Sequence, residues 1–334
     1  MIRIFFLLAF INFAFGQDTK IELFNESIKY FKLNDHNNVI LTLNKFIELD
    51  STQSEIFYRR GFSKLMIKEY ISSINDFDKA LLLLPKDPKS LYNKALALHE
   101  ISKNNEAIEC LNQVIQIEPN EYEAYLKRGE IYCKIKMYDK ALQDFSKVNT
   151  IKPNYDYVIN LIGFTYYDKK NLQEALKFFN RLIEINEFFP DAYNNRGLVF
   201  FDLGDNLKAI KDFDKAIEIR PTAETFNNRA FCKFSINNSN GALEDYDKAI
   251  LLNPKNEKYI FDRGALLLNL NKFNEALDAF NKAIMIDNKL AKAYAARAVA
   301  KYMLNKIDGA CADIKIAKNL GFDVIKVENL IKCK

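Results

Sequence analysis

Glycine and proline are scarce, 10 and 7 in 334 residues. An all-β fold needs many tight turns and draws on both, so it is disfavoured. Histidine is scarcer still: His36 and His99 lie more than 60 positions apart, and His36 falls in a predicted turn, in solvent. No Cys-x-x-Cys, His-Glu-x-x-His, Gly-x-Ser-x-Gly or phosphate-binding glycine loop occurs. The plentiful acidic residues fall at solvent-facing positions. No catalytic residue, metal ligand or cofactor site is therefore predicted, and the chain is read as not an enzyme. A strong excess of one charge is also missing. There are 48 basic and 44 acidic residues, a net charge of +4, and no basic tract stands out. Binding to nucleic acid by counterion release has little support. Hydrophobic residues make up 49%, ample for a core.

The N-terminus reads Met1-Ile2-Arg3 and then an apolar run from Ile4 to Phe15. At about a dozen residues this run is short for a membrane span of about 20. Ala14 and Gly16 set small residues where a signal peptidase reads, so residues 1–16 are predicted to be a signal peptide cleaved before Gln17. An uncleaved anchor is the other reading. No cysteine follows the cleavage site, which argues against a lipoprotein. No later segment is apolar for long enough to span a bilayer. The mature chain is expected to be periplasmic or secreted.

What the chain has in abundance is periodicity. Pro85, Pro119 and Pro153 are spaced by 34, and Pro221 falls two periods later. Small residues follow the same step, apart from one of 33 between Gly197 and Ala230: Ser27, Gly61, Ala95, Gly129, Gly163, Gly197, Ala230, Gly264 and Ala298. A second series lies twelve residues on, from Val39 to Ala310, and a third seven further, from Phe46 to Ala317. Closely crossing helices need small residues at the contact, with large ones filling the space around it. Aromatics supply the bulk four residues before the first series (Phe57, Tyr125, Tyr193, Phe226, Tyr294) and sixteen after it (Phe77, Phe145, Phe179, Phe213, Tyr246, Phe280). Each period reads as helix, turn, helix. The turns carry the residues of helix stops and N-caps, as in Leu203-Gly204-Asp205-Asn206 and Asn237-Asn238-Ser239-Asn240.

This pattern closely resembles the tetratricopeptide repeat. The stretch AYNNRGLVFFDLGDNLKAIKDFDKAIEIRP, residues 192–221, carries the family's aromatic, Gly, Ala, aromatic, Ala, Pro order. Nine repeats are counted: 20–53, 54–87, 88–121, 122–155, 156–189, 190–222, 223–256, 257–290 and 291–324. Together they make 17–324 an all-α, right-handed α-solenoid. The first repeat departs most from the pattern, and residues 325–334 are read as a capping helix, with Val324, Val327 and Ile331 as its apolar stripe.

The resemblance implies a protein-binding scaffold whose concave face, lined by first helices, takes a polypeptide partner. Its exposed positions lie three and two residues before each small residue and one and four after it. In repeat 5 these are Asn160, Phe164 and Tyr167. In repeat 6 they are Asn194, Asn195, Leu198 and Phe201, and in repeat 7 Asn227, Asn228, Phe231 and Phe234. Asn can donate to and accept from a peptide backbone at once, and aromatics add contact area. The aromatics have a second reading, packing between helices. The basic clamp that some members close on a C-terminal carboxylate is absent, since its positions hold Tyr58, Tyr92, Leu126, Phe62, Leu96 and Glu130. A structural subunit that uses its convex face or end repeats in an envelope complex is the alternative function.

Arg precedes the small residue at 60, 128, 196, 229, 263 and 297, and Asp stands sixteen residues after five of these. A ligand ladder and an intra-repeat salt bridge are the two readings. Of five cysteines, Cys311 and Cys333 flank Gly321 by ten and twelve residues. A helix pair folded at that glycine would set them side by side for a disulfide, with two free buried thiols as the other outcome. Cys110, Cys133 and Cys232 are expected outside it.

Overall fold

The computed structural model describes residues 2–333, and the side chains of residues 17–333. The predicted signal peptide, residues 1–16, lies outside the residues whose side chains are described. Among the described residues the fold is all-α, the right-handed solenoid of paired helices with a terminal single helix. First helices are α1 (Ile2–Lys32), α3 (Ser54–Met66), α5 (Pro88–Glu100), α7 (Tyr122–Lys134), α9 (Asp156–Asp168), α11 (Pro190–Asp202), α13 (Ala223–Ser235), α15 (Glu257–Asn269) and α17 (Ala291–Met303). Second helices are α2 (His36–Leu49), α4 (Tyr70–Leu83), α6 (Asn104–Ile117), α8 (Tyr138–Ile151), α10 (Leu172–Ile185), α12 (Asn206–Ile219), α14 (Ser239–Leu252), α16 (Phe273–Ile286) and α18 (Ile307–Asn319), and α19 (Ile325–Leu330) closes the chain. The chain forms two compact bodies, residues 1–158 and 159–334.

One turn recurs in every repeat. The seventh residue after the small one has a left-handed backbone: Asn34, Lys68, Ser102, Lys136, Lys170, Asn237, Asn271 and Asn305 at φ between 55° and 66°, and Gly204 at 81°. The following amide reaches back to close the first helix, as in Asp205 N–H to the Phe200 carbonyl at 2.9 Å. Asp35, Asn171, Asp205 and Asn238 then cap the second helix by accepting from its backbone.

The small-residue series has a steric cause. A Cβ built on Gly61, Gly129, Gly163, Gly197 or Gly264 would come within 2.5–3.0 Å of the ring sixteen residues on: Phe77, Phe145, Phe179, Phe213 or Phe280. All five rings are fully buried. Where the residue sixteen on is Leu111 or Ile314, the small residue is Ala95 or Ala298. Ala230 with Tyr246 is the exception.

The recurrent arginines are staples. Nε and Nη2 of Arg60, Arg128, Arg196, Arg229 and Arg297 donate to Asp76, Asp144, Asp212, Asp245 and Asp313 at 2.5–2.8 Å. These carboxylates are 1–5% exposed, so no ligand reaches them and the salt-bridge reading stands. The sequence reading lacked a second arm. Nη1 of each arginine reaches the second helix of the preceding repeat, at Asn44, Asn112, Asn180, Asp214 and Asn281. One guanidinium thus joins the two helices of its repeat to the repeat before it. Arg263, with Ala279 in place of the aspartate, pairs only backwards, to Asp247 at 2.6 Å. Such buried pairs add little net stability and fix register. Asp245 also receives Lys233 at 2.7 Å. Burial pushes its carboxyl up, but Arg229 and Lys233 outweigh this and hold it below the usual range. Asp144, with Arg128 alone, is pushed up by burial.

At the C-terminus, Val324 and Ile331 bury against Ala298, Ala310, Ile314 and Ala317, with Val327 partly buried beside them. The helix is shorter than 325–334. It ends at Leu330, and the chain leaves it to bring Cys333 to Cys311, where a disulfide joins them with Cα atoms 5.6 Å apart. His36 also departs from expectation. It opens α2 with Nδ1 buried and its ring edge-on to Phe31, because the left-handed turn at Asn34 folds it back on the first helix.

Candidate functional site

The predicted groove residues of repeats 5 to 7 lie on α9, α11 and α13, within the C-terminal body. Successive first helices are tied by a ladder of side-chain amides. Asn195 Nδ2 donates to Asn160 Oδ1 at 2.9 Å, Asn194 Nδ2 to Asn195 Oδ1 at 3.3 Å, and Asn228 Nδ2 to Asn194 Oδ1 at 3.3 Å. The Asn227 side chain lies beside Asp262 of α15 and helps to stabilise its carboxylate. Except for Asn194–Asn195 within α11, each pair links the position three before the small residue to the position two before it in the next repeat. Part of the bonding capacity expected to face a ligand is therefore used between repeats. Each amide can form up to four hydrogen bonds, and Asn160, Asn194, Asn195 and Asn228 remain partly exposed. Asn227 differs: it is buried, at 4% exposure.

The aromatics alternate with this ladder. Phe164 is 38% exposed and Phe231 47%. Phe164 meets Tyr167 at 6.0 Å between ring centres, and Phe201 meets Phe231 edge-to-face at 5.5 Å. Lys170 sits over the Tyr167 ring at 5.0 Å, and burial with Asp202 pushes the Tyr167 hydroxyl up to about 12. Leu198 and Phe201 pack on the cluster of Ala209, Phe213 and Cys232. Phe234 packs on the cluster of Ala230, Ala242, Tyr246 and Leu266, which is the interhelical role. A pocket of about 210 Å³ opens between α11, α13 and α15, with Leu198, Phe201 and Phe231 as apolar wall and Asn227, Asn228, Lys258 and Asp262 as polar wall.

The ladder was missed in the sequence, although a signal existed. Asn160 and Asn195, Asn194 and Asn228, and Asn227 and Asp262 are separated by 35, 34 and 35 residues, one period give or take one.

In the N-terminal body the equivalent face is aromatic and acidic. Tyr58 and Tyr92 line a pocket of about 510 Å³ with Glu118, Glu121 and Glu123. Burial, then Glu123, Glu130 and Glu121, push the Tyr92 hydroxyl up to about 12. Glu130 takes Lys127 at 2.5 Å and accepts from Tyr157 at 2.9 Å. These acidic groups would repel a terminal carboxylate.

Family models described as Tetratricopeptide repeat match residues 190–222, and 122–155 with 258–290; one described as TPR repeat matches 97–136 and 163–204. The chain contains tetratricopeptide repeats. Serine/threonine-protein phosphatase 5 of Rattus norvegicus is 27% identical over 109 residues, 33% of this chain and 22% of that protein. Protein unc-45 homolog B of Xenopus laevis is 29% identical over 102 residues, 30% of this chain and 11% of that protein. The match thus spans a small part of each relative. Among solved structures, a tetratricopeptide repeat protein from Parabacteroides merdae is 20% identical over 75% of this chain and 99% of that one, with a TM-score of 0.62. A tetratricopeptide repeat protein from Cytophaga hutchinsonii is 17% identical over 72% of this chain and 98% of that one, at 0.58. The hetero-tetramer Cut9–Hcn1 of the APC/C is 15% identical over 88% of this chain and 59% of that one, also at 0.58. These likenesses concern the fold.

The repeat is a non-catalytic protein-interaction module. Among the described residues, no cluster of His, Cys, Asp or Glu could hold a metal, and no helix is long and apolar enough to cross a membrane.

Proposed function

We propose that the chain is an exported scaffold that holds a polypeptide segment along the first-helix face of repeats 5 to 8. The observation that carries this reading is the amide ladder, Asn160 to Asn228, beside the exposed rings of Phe164 and Phe231. The ladder holds the first helices in register, and its spare donors and acceptors suit an extended backbone of varied sequence. Export is supported by the apolar N-terminal run and by the Cys311–Cys333 bridge, a bond of oxidising compartments.

A second reading, a structural subunit of an envelope-associated complex, has its own observation and the wider support of the comparisons. Leu251 and Leu252 at the end of α14 are 80% and 51% exposed, and Met285 at the end of α16 is 85% exposed. Exposed apolar surface of this kind favours contact with a partner. Cut9–Hcn1, which shares the architecture, is itself an assembly of subunits.

Capture of partners by the chain 17–334 from its native compartment separates the two readings. Three baits are compared: the natural chain, the triple variant Tyr167→Ala, Asn194→Ala, Asn195→Ala, and the double variant Leu251→Lys, Met285→Lys. Loss of the main partner with the triple variant alone supports the groove. Loss with the double variant alone supports the subunit.

A further inference from the structure

The polar wall of the pocket between α11, α13 and α15 contains an acceptor with no donor. Asn227 is 4% exposed, and its buried Oδ1 has no hydrogen-bond partner. Turning the amide over would not help, because Oδ1 would then face the Asp262 carboxylate in place of the NH2 group. Buried polar atoms are nearly always paired, and an unpaired one costs about 1–3 kcal/mol. Asn227 and Asp262 both line the pocket, so its wall holds two acceptors, with Lys258 on the same wall. Phe231, one helical turn along α13 from Asn227, shows an exposed ring buttressed edge-on by Phe201.

Two acceptors beside an exposed aromatic ring match a planar group with several N–H donors. A guanidinium has five donors in a fixed fork and stacks on rings. We propose that this pocket receives an arginine side chain of the bound polypeptide, which stacks on Phe231 and donates to Asp262 and to Asn227 Oδ1. The proposal rests on the groove reading above and adds the chemistry of one anchor. Burial pushes the Asp262 carboxyl up, against Lys292, Lys258 and Asn227. The two lysines act on it without closing an ion pair among the described residues, and Lys292 lies instead over the Phe261 ring at 4.2 Å. The field in the pocket is thus not strongly negative, and directed hydrogen bonds distinguish arginine from a simple point charge.

The test is a positional-scanning library of N-acetylated, C-amidated nonapeptides probed with the chain 17–334. Four forms are used: natural, Asp262→Asn, Asn227→Leu and Phe231→Leu. The natural chain is expected to select Arg over Lys and Leu at one position by about tenfold, the scale of a 1.4 kcal/mol difference. Asp262→Asn should remove that preference while general peptide binding persists, and Phe231→Leu should remove it together with part of the general affinity. Asn227→Leu should also remove it, with a melting temperature unchanged or raised, since it deletes an unpaired acceptor; a purely structural Asn227 would lower it. Selection of an acidic or apolar residue at that position, or an Arg preference that survives Asp262→Asn, overturns the anchor and leaves the groove reading standing. Absence of any peptide binding by the natural chain overturns both.

Discussion

Gly197→Ala tests whether the recurring small residue is set by the ring it faces. The new Cβ would lie 2.8 Å from Phe213 Cε1, where ordinary contact begins near 3.4 Å. Phe213 is fully buried and cannot swing into solvent. Overpacking of this kind costs about 1–3 kcal/mol. Against it stands the helix preference of Ala over Gly, about 1 kcal/mol. The single variant is therefore expected to lose about 1 kcal/mol net. In a Phe213→Leu background the ring is gone, and the pair becomes the Ala95 and Leu111 combination that repeat 3 already carries. There Gly197→Ala should stabilise by about 1 kcal/mol, a coupling of about 2 kcal/mol across the cycle. Urea unfolding followed by circular dichroism on all four forms of chain 17–334 gives the cycle, analysed as a linear array with nearest-neighbour terms. Effects that add to within about 0.5 kcal/mol would refute the steric account.

Three further outcomes are expected. Arg196→Ala removes the partner of a buried carboxylate and two inter-helix ties, so it should cost about 3 kcal/mol, whereas Arg196→Ala in an Asp212→Leu background should cost much less; urea midpoints decide. Replacing Cys311 and Cys333 by Ser opens a 22-residue separation and should lower the stability of the last repeat by about 3 kcal/mol in the chain-entropy model, read as faster hydrogen exchange confined to α17–α19. Mass analysis of the N-terminus of protein from its native compartment should find Gln17 first, and a retained Met1 would remove the reading of a signal peptide cleaved before Gln17.

Much of this architecture is legible in one sequence because a repeat states its packing rule many times. Gly61, Gly129 and Gly163 sit at fixed steps beside Phe77, Phe145 and Phe179, and a helix crossing follows from sterics alone. The forward arm of each arginine staple was equally legible, since Asp recurs sixteen residues on. The backward arm was not, because its acceptor varies between Asn44, Asn112 and Asp214 and belongs to another repeat. The groove register could be counted, which located Phe164 and Phe231. The bonds among Asn160, Asn194, Asn195 and Asn228 depend on how one repeat is rotated on the next, and a period alone does not encode that rotation. The burial of Asn227 and its place beside Asp262 were hidden for the same reason, as was the end of α19 at Leu330, where Ile331 and Cys333 are drawn inward by tertiary contacts.

The central claim, that the first-helix face of the C-terminal body grips the partner, is tested most directly by hydroxyl-radical footprinting with and without the captured partner. Phe164, Tyr167 and Phe231 report on the groove, and Leu251 and Met285 on the ends of the second helices. Protection of the three groove rings with unchanged oxidation of Met285 is the expected result, and protection of Leu251 and Met285 with the rings unchanged would contradict it.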